Sequence, residues 1–313
     1  MFKSKSIYPL LILAMFFWGG YYVLGKAVSG SIPPITLSYL RWMIALIFLA
    51  PLCWQELLEN KIKFLHNWKY FLLVGFSGIM GYSICVFTSL RYTTAINSGI
   101  INSFCPVFIT ILAVIFLKEK ISKIQTAGII LSFIGVTWII SKGQLSTLLS
   151  FDFNNGDILM LGAVFFWGIY TILLRIKRNI VPLKSLLAFS IIWGLLITWP
   201  LVLIENLTWD FNWISNLTSF HILSVLYMGT LAAVFSFLVF NKAVNEIGPS
   251  RAAMFQHLVV VFAAILSITL LHEKLTFAHL VGTILIVTGV YLTTQKGLLT
   301  SEHPDKKRVI NRS

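Results

Sequence analysis

The stretch Ser89–Trp138 recurs as Ala243–Leu292, shifted by 154 positions and without a gap. Glu119–Lys120 falls on Glu273–Lys274, Gly128 on Gly282, and Gly135–Val136 on Gly289–Val290. Val107–Phe108 falls on Val261–Phe262, and Leu117 on Leu271. Leu and Ile match by chance in an apolar chain; a Glu-Lys pair and two glycines seven apart, in one register, do not. Each copy holds two apolar runs joined by a short charged turn, and each run is long enough to cross a bilayer. A second match precedes the first. Leu13–Lys26 resembles Leu161–Arg175, with Phe16-Phe17-Trp18-Gly19 on Phe165-Phe166-Trp167-Gly168 at an offset of 149.

Composition sets the solvent. The chain is 58% hydrophobic and 11% charged, against roughly 25% charged for a soluble domain. A water-soluble fold would leave too much apolar side chain exposed; a bilayer removes that difficulty. Ten runs are long enough to span: 7–28, 34–54, 69–90, 94–117, 123–141, 157–175, 184–204, 220–241, 249–271 and 276–295. A helix of ~20 residues is about 30 Å long, the thickness of the hydrocarbon layer. The first run follows Lys3 and Lys5 and is longer than the apolar part of a signal peptide, so it is read as an uncleaved span. Cys53, Cys85 and Cys105 all lie in apolar runs with no pairing or metal-ligand spacing, so they read as small core residues.

Ten spans put both ends on one side. With the N-terminus inside, inner segments hold nineteen of the 24 Lys and Arg residues and outer segments hold four, with Arg41 left inside a span. That bias predicts cytoplasmic termini. It also assigns the net charge of +13 to loops and tails rather than to a nucleic-acid footprint. Five spans per half is an odd number, so the halves must lie in opposite orientations. Residues 7–141 form the first repeat, 157–295 the second, and 296–313 a basic tail. The expected fold is thus an all-α membrane protein of ten helices in two inverted five-helix repeats, an arrangement typical of transporters with the substrate site between the halves.

Local signals agree. Ser122 with Gln125 makes a capping box that opens span five. Gly248-Pro249-Ser250 opens span nine. Gly75, Gly78 and Gly81, and the glycine pairs Gly128/Gly135 and Gly282/Gly289, place small residues where helices approach closely. Trp54–Trp68 reads as a polar inner loop and Glu205–Phe220 as an outer one. The sequons at Asn206 and Asn216 are unsurprising in an Asn-rich chain and imply no glycosylation.

Polar groups at membrane depth cost several kcal/mol unless satisfied, so they are the candidate site. Arg41 lies seven residues past Pro34, about 10 Å down span two. It is either a snorkelling or structural cation or one that lines an aqueous cavity. Gln256–His257 lies mid-span in span nine, and the repeat sets Asn102–Ser103 at the matching level of span four. Those pairs either bond across helices or face substrate. Trp18, Tyr21, Tyr22, Trp167 and Tyr170 give spans one and six aromatic surface for packing or for a substrate side chain. Lys26 reads as an interfacial anchor, and Glu119 and Glu273 as turn structure.

The absences narrow the function. All eleven acids fall in loops, tails or span ends, so the buried carboxylate that an exporter of cationic drugs needs is missing. A buried cation and a histidine favour a carboxylate-bearing substrate instead. There is no Walker sequence, Gly-rich nucleotide loop, metalloprotease motif or nucleophile elbow, so neither a cofactor nor an enzyme is expected.

Phe16–Lys26, Leu40–Ala45, the run from Thr93 through Cys105–Phe108 to Phe116–Lys120, and Ala127–Val136 together resemble the EamA domain of the drug/metabolite transporter superfamily. The second half matches through Phe165–Arg175, Leu270–Thr276 and Val281–Val290. The resemblance covers nearly all of residues 7–295 and implies ten helices, an inverted repeat, and export of small metabolites, often amino acids, across the bacterial inner membrane. The family usually has proline in the ninth span; Val260 stands there, matching Pro106 of the first half. The expectation is a secondary exporter of amino acids or other carboxylates by alternating access, sufficient as a monomer. The alternatives are an exporter of drug-like compounds and a membrane scaffold or sensor without transport.

Overall fold

The computed structural model describes residues 7–28, 30–93, 95–144, 146, 154–208, 213–270 and 276–295. The Glu273–Lys274 pair, Lys3, Lys5 and the basic tail lie outside them. Described in chain order, the helices are α1 (Ile7–Val28), α2 (Pro34–Leu52), α3 (Trp54–His66), α4 (Trp68–Tyr92), α5 (Ala95–Asn102), α6 (Cys105–Leu117) and α7 (Lys123–Ile140). They continue as α8 (Asn155–Ile176), α9 (Leu183–Thr208), α10 (Ser219–Ile247), α11 (Pro249–Met254), α12 (His257–Leu270) and α13 (Phe277–Gln295). Nine stretches among the described residues are long and apolar enough to cross a membrane, and α6 is a shorter apolar helix. A hydrocarbon solvent leaves the backbone no partner but itself, which is why these runs are helical. Large apolar side chains such as Ile47, Ile115, Phe116, Leu196 and Ile284 are exposed on the outside of the bundle, as a lipid-facing surface requires.

The helix starts follow the expected chemistry. Ser122 and Gln125 exchange both bonds of a capping box at α7. Asn154 and Asp157 do the same at α8, and Asp157 also accepts from Thr93 Oγ1 at 2.5 Å. Gly248 takes φ +90°, and only then does Pro249 begin α11.

Close packing concentrates at the glycines, and it does so in pairs. A Cβ on Gly128 would lie 2.6 Å from the carbonyl oxygen of Gly289, and one on Gly135 would lie 2.7 Å from that of Gly282. So α7 and α13 cross antiparallel with backbones touching. Gly75 of α4 meets the Ser190 carbonyl oxygen of α9, and Gly229 of α10 meets the Arg41 carbonyl oxygen of α2. Gly75 and Gly229 are 154 positions apart, and Arg41 and Ser190 are 149 apart. Phe16 packs on Phe262 at 5.5 Å between ring centroids, and Phe165 on Phe108 at 6.1 Å. Trp18 packs edge-on against its own repeat mate Trp167, at 5.6 Å. A π-helical segment interrupts α4 at Gly75–Gly81 and α10 at Met228–Phe235.

Three expectations change. Trp54–Trp68 is not a loop: α3 is an amphipathic helix that exposes Trp54, Leu58, Ile62 and Leu65 along one stripe. Hydropathy alone misses such a helix because its apolar stripe is diluted by charge. The outer loop does not begin at Glu205 either, because α9 runs on to Thr208. The Glu205 carboxylate is buried and accepts from Ile35 N (2.9 Å), Thr36 N (2.7 Å) and Thr36 Oγ1 (2.8 Å). It therefore caps α2, placing negative charge on the helix N-terminus after Pro33–Pro34. Asn206 donates to Thr36 Oγ1 from the same turn, so that sequon is a buried structural residue. Glu205→Ala strips three accepted bonds from α2 and is expected to cost about 1–3 kcal/mol. A lowered melting temperature in detergent checks this.

The third change concerns spans four and nine, each predicted as one run. Each is interrupted near its polar pair. Between α5 and α6, Ser103 N and Phe104 N bond to Gly99 O and Ile101 O, and Pro106 has no N–H to give Asn102. Between α11 and α12, Gln256, Leu258 and Val259 bond three residues back, to Ala253, Phe255 and Gln256. The second interruption forms with Val260 where the first half has proline.

Candidate binding site

Two neighbouring cavities lie where these interruptions meet α1, α2, α4 and α8. The smaller one is a chamber of about 30 Å3 bounded by Trp18, Tyr21, Tyr22, Arg41, Tyr82, Asn102, Trp167 and Gln256. The wider one, about 390 Å3, shares Tyr22, Asn102 and Gln256 with it and runs past Ser103 and His257 to Lys26, Leu90, Ile140 and Met160 near the helix ends.

Arg41 dominates the chamber. It is 2% exposed and lies on α2 about two turns below the buried start of that helix. Its Nη2 donates to Ser83 Oγ at 2.6 Å, and its guanidinium carbon lies 4.7 Å from the Tyr21 ring centre and 4.6 Å from that of Trp42. Its Nε has no hydrogen-bond partner, and neither does the Tyr21 hydroxyl. No carboxylate lines the chamber among the described residues. Stacked rings hold a cation but do not neutralise it. An arginine at the centre of a membrane helix costs about 2.5–3.5 kcal/mol on insertion scales. Position 190, the repeat mate of Arg41, is serine, so the charge belongs to one half only.

The other walls are polar but neutral. Tyr22 and Tyr82 hydroxyls lie 2.6 Å apart, and Asn102 Nδ2 donates to Tyr22 at 3.0 Å. This chain of bonds links α1, α4 and the end of α5. Trp18 fixes its indole by donating to Ala232 O at 2.9 Å, a carbonyl within the π-helical segment of α10. Trp18, Trp167, Phe237 and Phe240 then pack into an aromatic floor, with centroids 5.3–5.7 Å apart. Below that floor the bundle is closed. Glu119 Oε2 accepts from Ser250 Oγ at 2.5 Å, and Arg175 Nη1 donates to Asn245 O.

Of the residues that the sequence singles out, Trp18, Tyr22, Arg41, Asn102, Trp167 and Gln256 meet at the chamber, and Ser103 and His257 line the wider cavity. His257 is 1% exposed, and both its ring nitrogens are engaged, Nδ1 with Ser132 Oγ at 2.7 Å and Nε2 with Ser103 O at 3.1 Å. A neutral ring satisfies both when Nε2 carries the proton and Ser132 donates to Nδ1. Tyr170 lines neither cavity. It is fully buried against Gly78, packs on Trp167 and donates to Asn241 Oδ1 at 2.8 Å. Sequence reasoning misses Tyr82 and Ser83; the signal was a polar pair following Gly81 in the middle of an otherwise apolar span.

The EamA-like transporter family model matches residues 5–141 and, a second time, residues 154–295. An uncharacterized transporter of Archaeoglobus fulgidus is 28% identical over 94% of this chain and 99% of its own. The uncharacterized transporter YyaM of Bacillus subtilis is 27% identical over 92% of this chain and 93% of its own. A solved crystal structure aligns over 95% of this chain and 99% of its own with a TM-score of 0.76 at 15% identity, a likeness of fold. Family and relatives are transporters, not enzymes. With the family pattern present twice, around a polar chamber enclosed by membrane-length helices, the chain belongs to the EamA-like transporter family.

Proposed function

We propose that this chain is a secondary transporter that exports small carboxylate-bearing metabolites, amino acids foremost, across a bacterial inner membrane. It works by alternating access of two inverted five-helix repeats with cytoplasmic termini. The observation that carries the substrate reading is Arg41: a buried cation with an unpartnered Nε, facing a chamber without acid. A carboxylate group entering there meets a guanidinium among the Trp18, Tyr21 and Trp167 rings, while the rest of the substrate lies in the neighbouring wider cavity.

The inverted repeat is supported by contacts that exchange under a 149- or 154-residue shift. Phe16–Phe262 has its counterpart in Phe165–Phe108, Gly75–Ser190 in Gly229–Arg41, and Trp18 meets its own mate. Such reciprocal pairing is the mark of a two-fold relation. The α5–α6 and α11–α12 pairs then complete the fourth and ninth crossings. Interrupted helices at matching positions of two halves are where transporters of this build bind their cargo. With cytoplasmic termini, the wider cavity faces outward and the Glu119–Ser250 contact closes the inner end.

Counterflow of labelled amino acids into proteoliposomes tests the function. Exchange above protein-free vesicles is expected for at least one carboxylate substrate, and no exchange across the amino acids and simple carboxylates rejects the reading. Topology is tested separately: cysteines in the Glu119 turn and in segment 271–275 should label from opposite compartments. The inner closure gives a further prediction. Glu119→Gln with Ser250→Ala removes a charge-assisted bond and should shift the conformational equilibrium about tenfold or more toward inner opening. A cysteine replacing the buried Ala252 should then react faster with a cytoplasmic thiol reagent.

A further inference from the structure

We infer that the Arg41 chamber is a binding site for a small inorganic monovalent anion, chloride in size, which occupies it whenever no substrate carboxylate does. Two polar orphans belong to residues that line this space. Arg41 Nε and the Tyr21 hydroxyl are both buried and both lack a hydrogen-bond partner, and both residues border the chamber. Buried donors without partners are rare because each forfeits its hydration, and an unpaired guanidinium forfeits far more. One anion between them supplies a counter-charge to Arg41 and an acceptor for Tyr21 together.

Size and charge select the ion. A chamber of about 30 Å3 has room for a water or two, or one halide, when a single water needs at least ~10–15 Å3. It has no room for the body of an amino acid, which the neighbouring 390 Å3 cavity must hold instead. Among the described residues Arg41 is the cation that lines the chamber, so a divalent anion would bring an uncompensated negative charge. The wider cavity borders the chamber at Tyr22, Asn102 and Gln256, which makes it the side from which an ion would enter. Competition between this anion and substrate rests on the carboxylate reading above; occupancy by the anion does not.

The test is thermal unfolding of the purified full chain in detergent, titrating sodium chloride against sodium gluconate at constant ionic strength and pH. Gluconate is too large for the chamber. Chloride is expected to raise the melting temperature by a few degrees, saturably, as a ligand of the folded state does. Arg41→Gln should abolish the response, and Tyr21→Phe should move its midpoint to higher chloride. Equal melting in the two salts overturns the proposal, as does a full response in Arg41→Gln. If that variant does not fold, an unchanged midpoint in Tyr21→Phe overturns it. In proteoliposomes that carry out counterflow, chloride should raise the apparent KM for the carboxylate substrate while leaving the maximal rate unchanged. If chloride stabilises the protein but no carboxylate is transported, the functional reading falls and the anion site stands. If carboxylates are transported and chloride neither stabilises nor competes, the anion site falls alone.

Discussion

Arg41→Gln is expected to abolish carboxylate transport while leaving the protein at least as stable as the parent in halide-free buffer. The two halves of that expectation come from the same geometry. Losing one partner of a buried, hydrogen-bonded charge pair costs about 2–5 kcal/mol of binding, or about 30-fold or more in affinity. Glutamine is too short to reach Ser83 Oγ, now 2.6 Å from Nη2, but that hydroxyl keeps its bonds to Trp42 Nε1 and Ile79 O. The change removes a charge that no carboxylate among the described residues lining the chamber offsets. The insertion cost of the guanidinium therefore disappears with it. Function and stability moving in opposite directions is the signature of a group kept for binding rather than for folding. A structural arginine would lose both together. Arg41→Lys separates charge from shape: it should retain part of the transport, because the ammonium attracts a carboxylate without the planar fork or the stacking on Tyr21 and Trp42. Initial rates and melting curves of the three proteins, measured at equal reconstituted amounts, decide the matter. Transport by Arg41→Gln at parental rates would remove Arg41 from the site.

The spans were legible because a bilayer leaves few alternatives to a helix in a 20-residue apolar run. The helix starts at Ser122 and Gly248-Pro249 were legible because capping chemistry is local. Arg41 stood out because no charge is neutral in hydrocarbon. What escaped the sequence depends on partners far along the chain. Glu205 reads as a loop acid until Ile35 and Thr36, some 170 residues away, supply the donors that bury it. Tyr82 lines the chamber and Ser83 accepts from Arg41, both directly after the π-helical turns of α4 that end at Gly81. The interruption before His257 carries no proline to announce it; it becomes readable only through its counterpart at Asn102–Ser103. Tyr170 lies off both cavities. Its period along span six matches Trp167, but one turn is enough to carry it from the cavity wall into the α4 interface, where Gly78 and Asn241 hold it.

Gly289→Val is expected to be among the most damaging single changes in the chain, with almost no folded protein recovered after extraction. Its Cβ would lie 2.5 Å from the Gly128 carbonyl oxygen, 2.7 Å from the Ser132 nitrogen and 2.8 Å from the Ser132 Cβ. Two of those atoms are backbone and cannot rotate away, so α7 and α13 must part. Overpacking that only displaces side chains already costs about 1–3 kcal/mol. Separating two helix backbones should exceed that, because close approach of small residues is the main source of attraction between helices in lipid. The damage also reaches the site. Ser132 sits at the seam and holds Nδ1 of His257, whose other nitrogen bonds the Ser103 carbonyl between α5 and α6. Moving α7 outward breaks the Ser132 bond that orients the His257 ring toward Ser103. Gly162→Ala supplies the control within the same chain. Its Cβ would meet nothing closer than Cys85 Sγ at 3.6 Å, and α8 should gain about 0.5–1 kcal/mol from the better helix former. Size-exclusion recovery and melting temperature of the two variants should diverge in opposite directions from the parent. A Gly289→Val protein that melts with the parent would mean that α7 and α13 do not touch there.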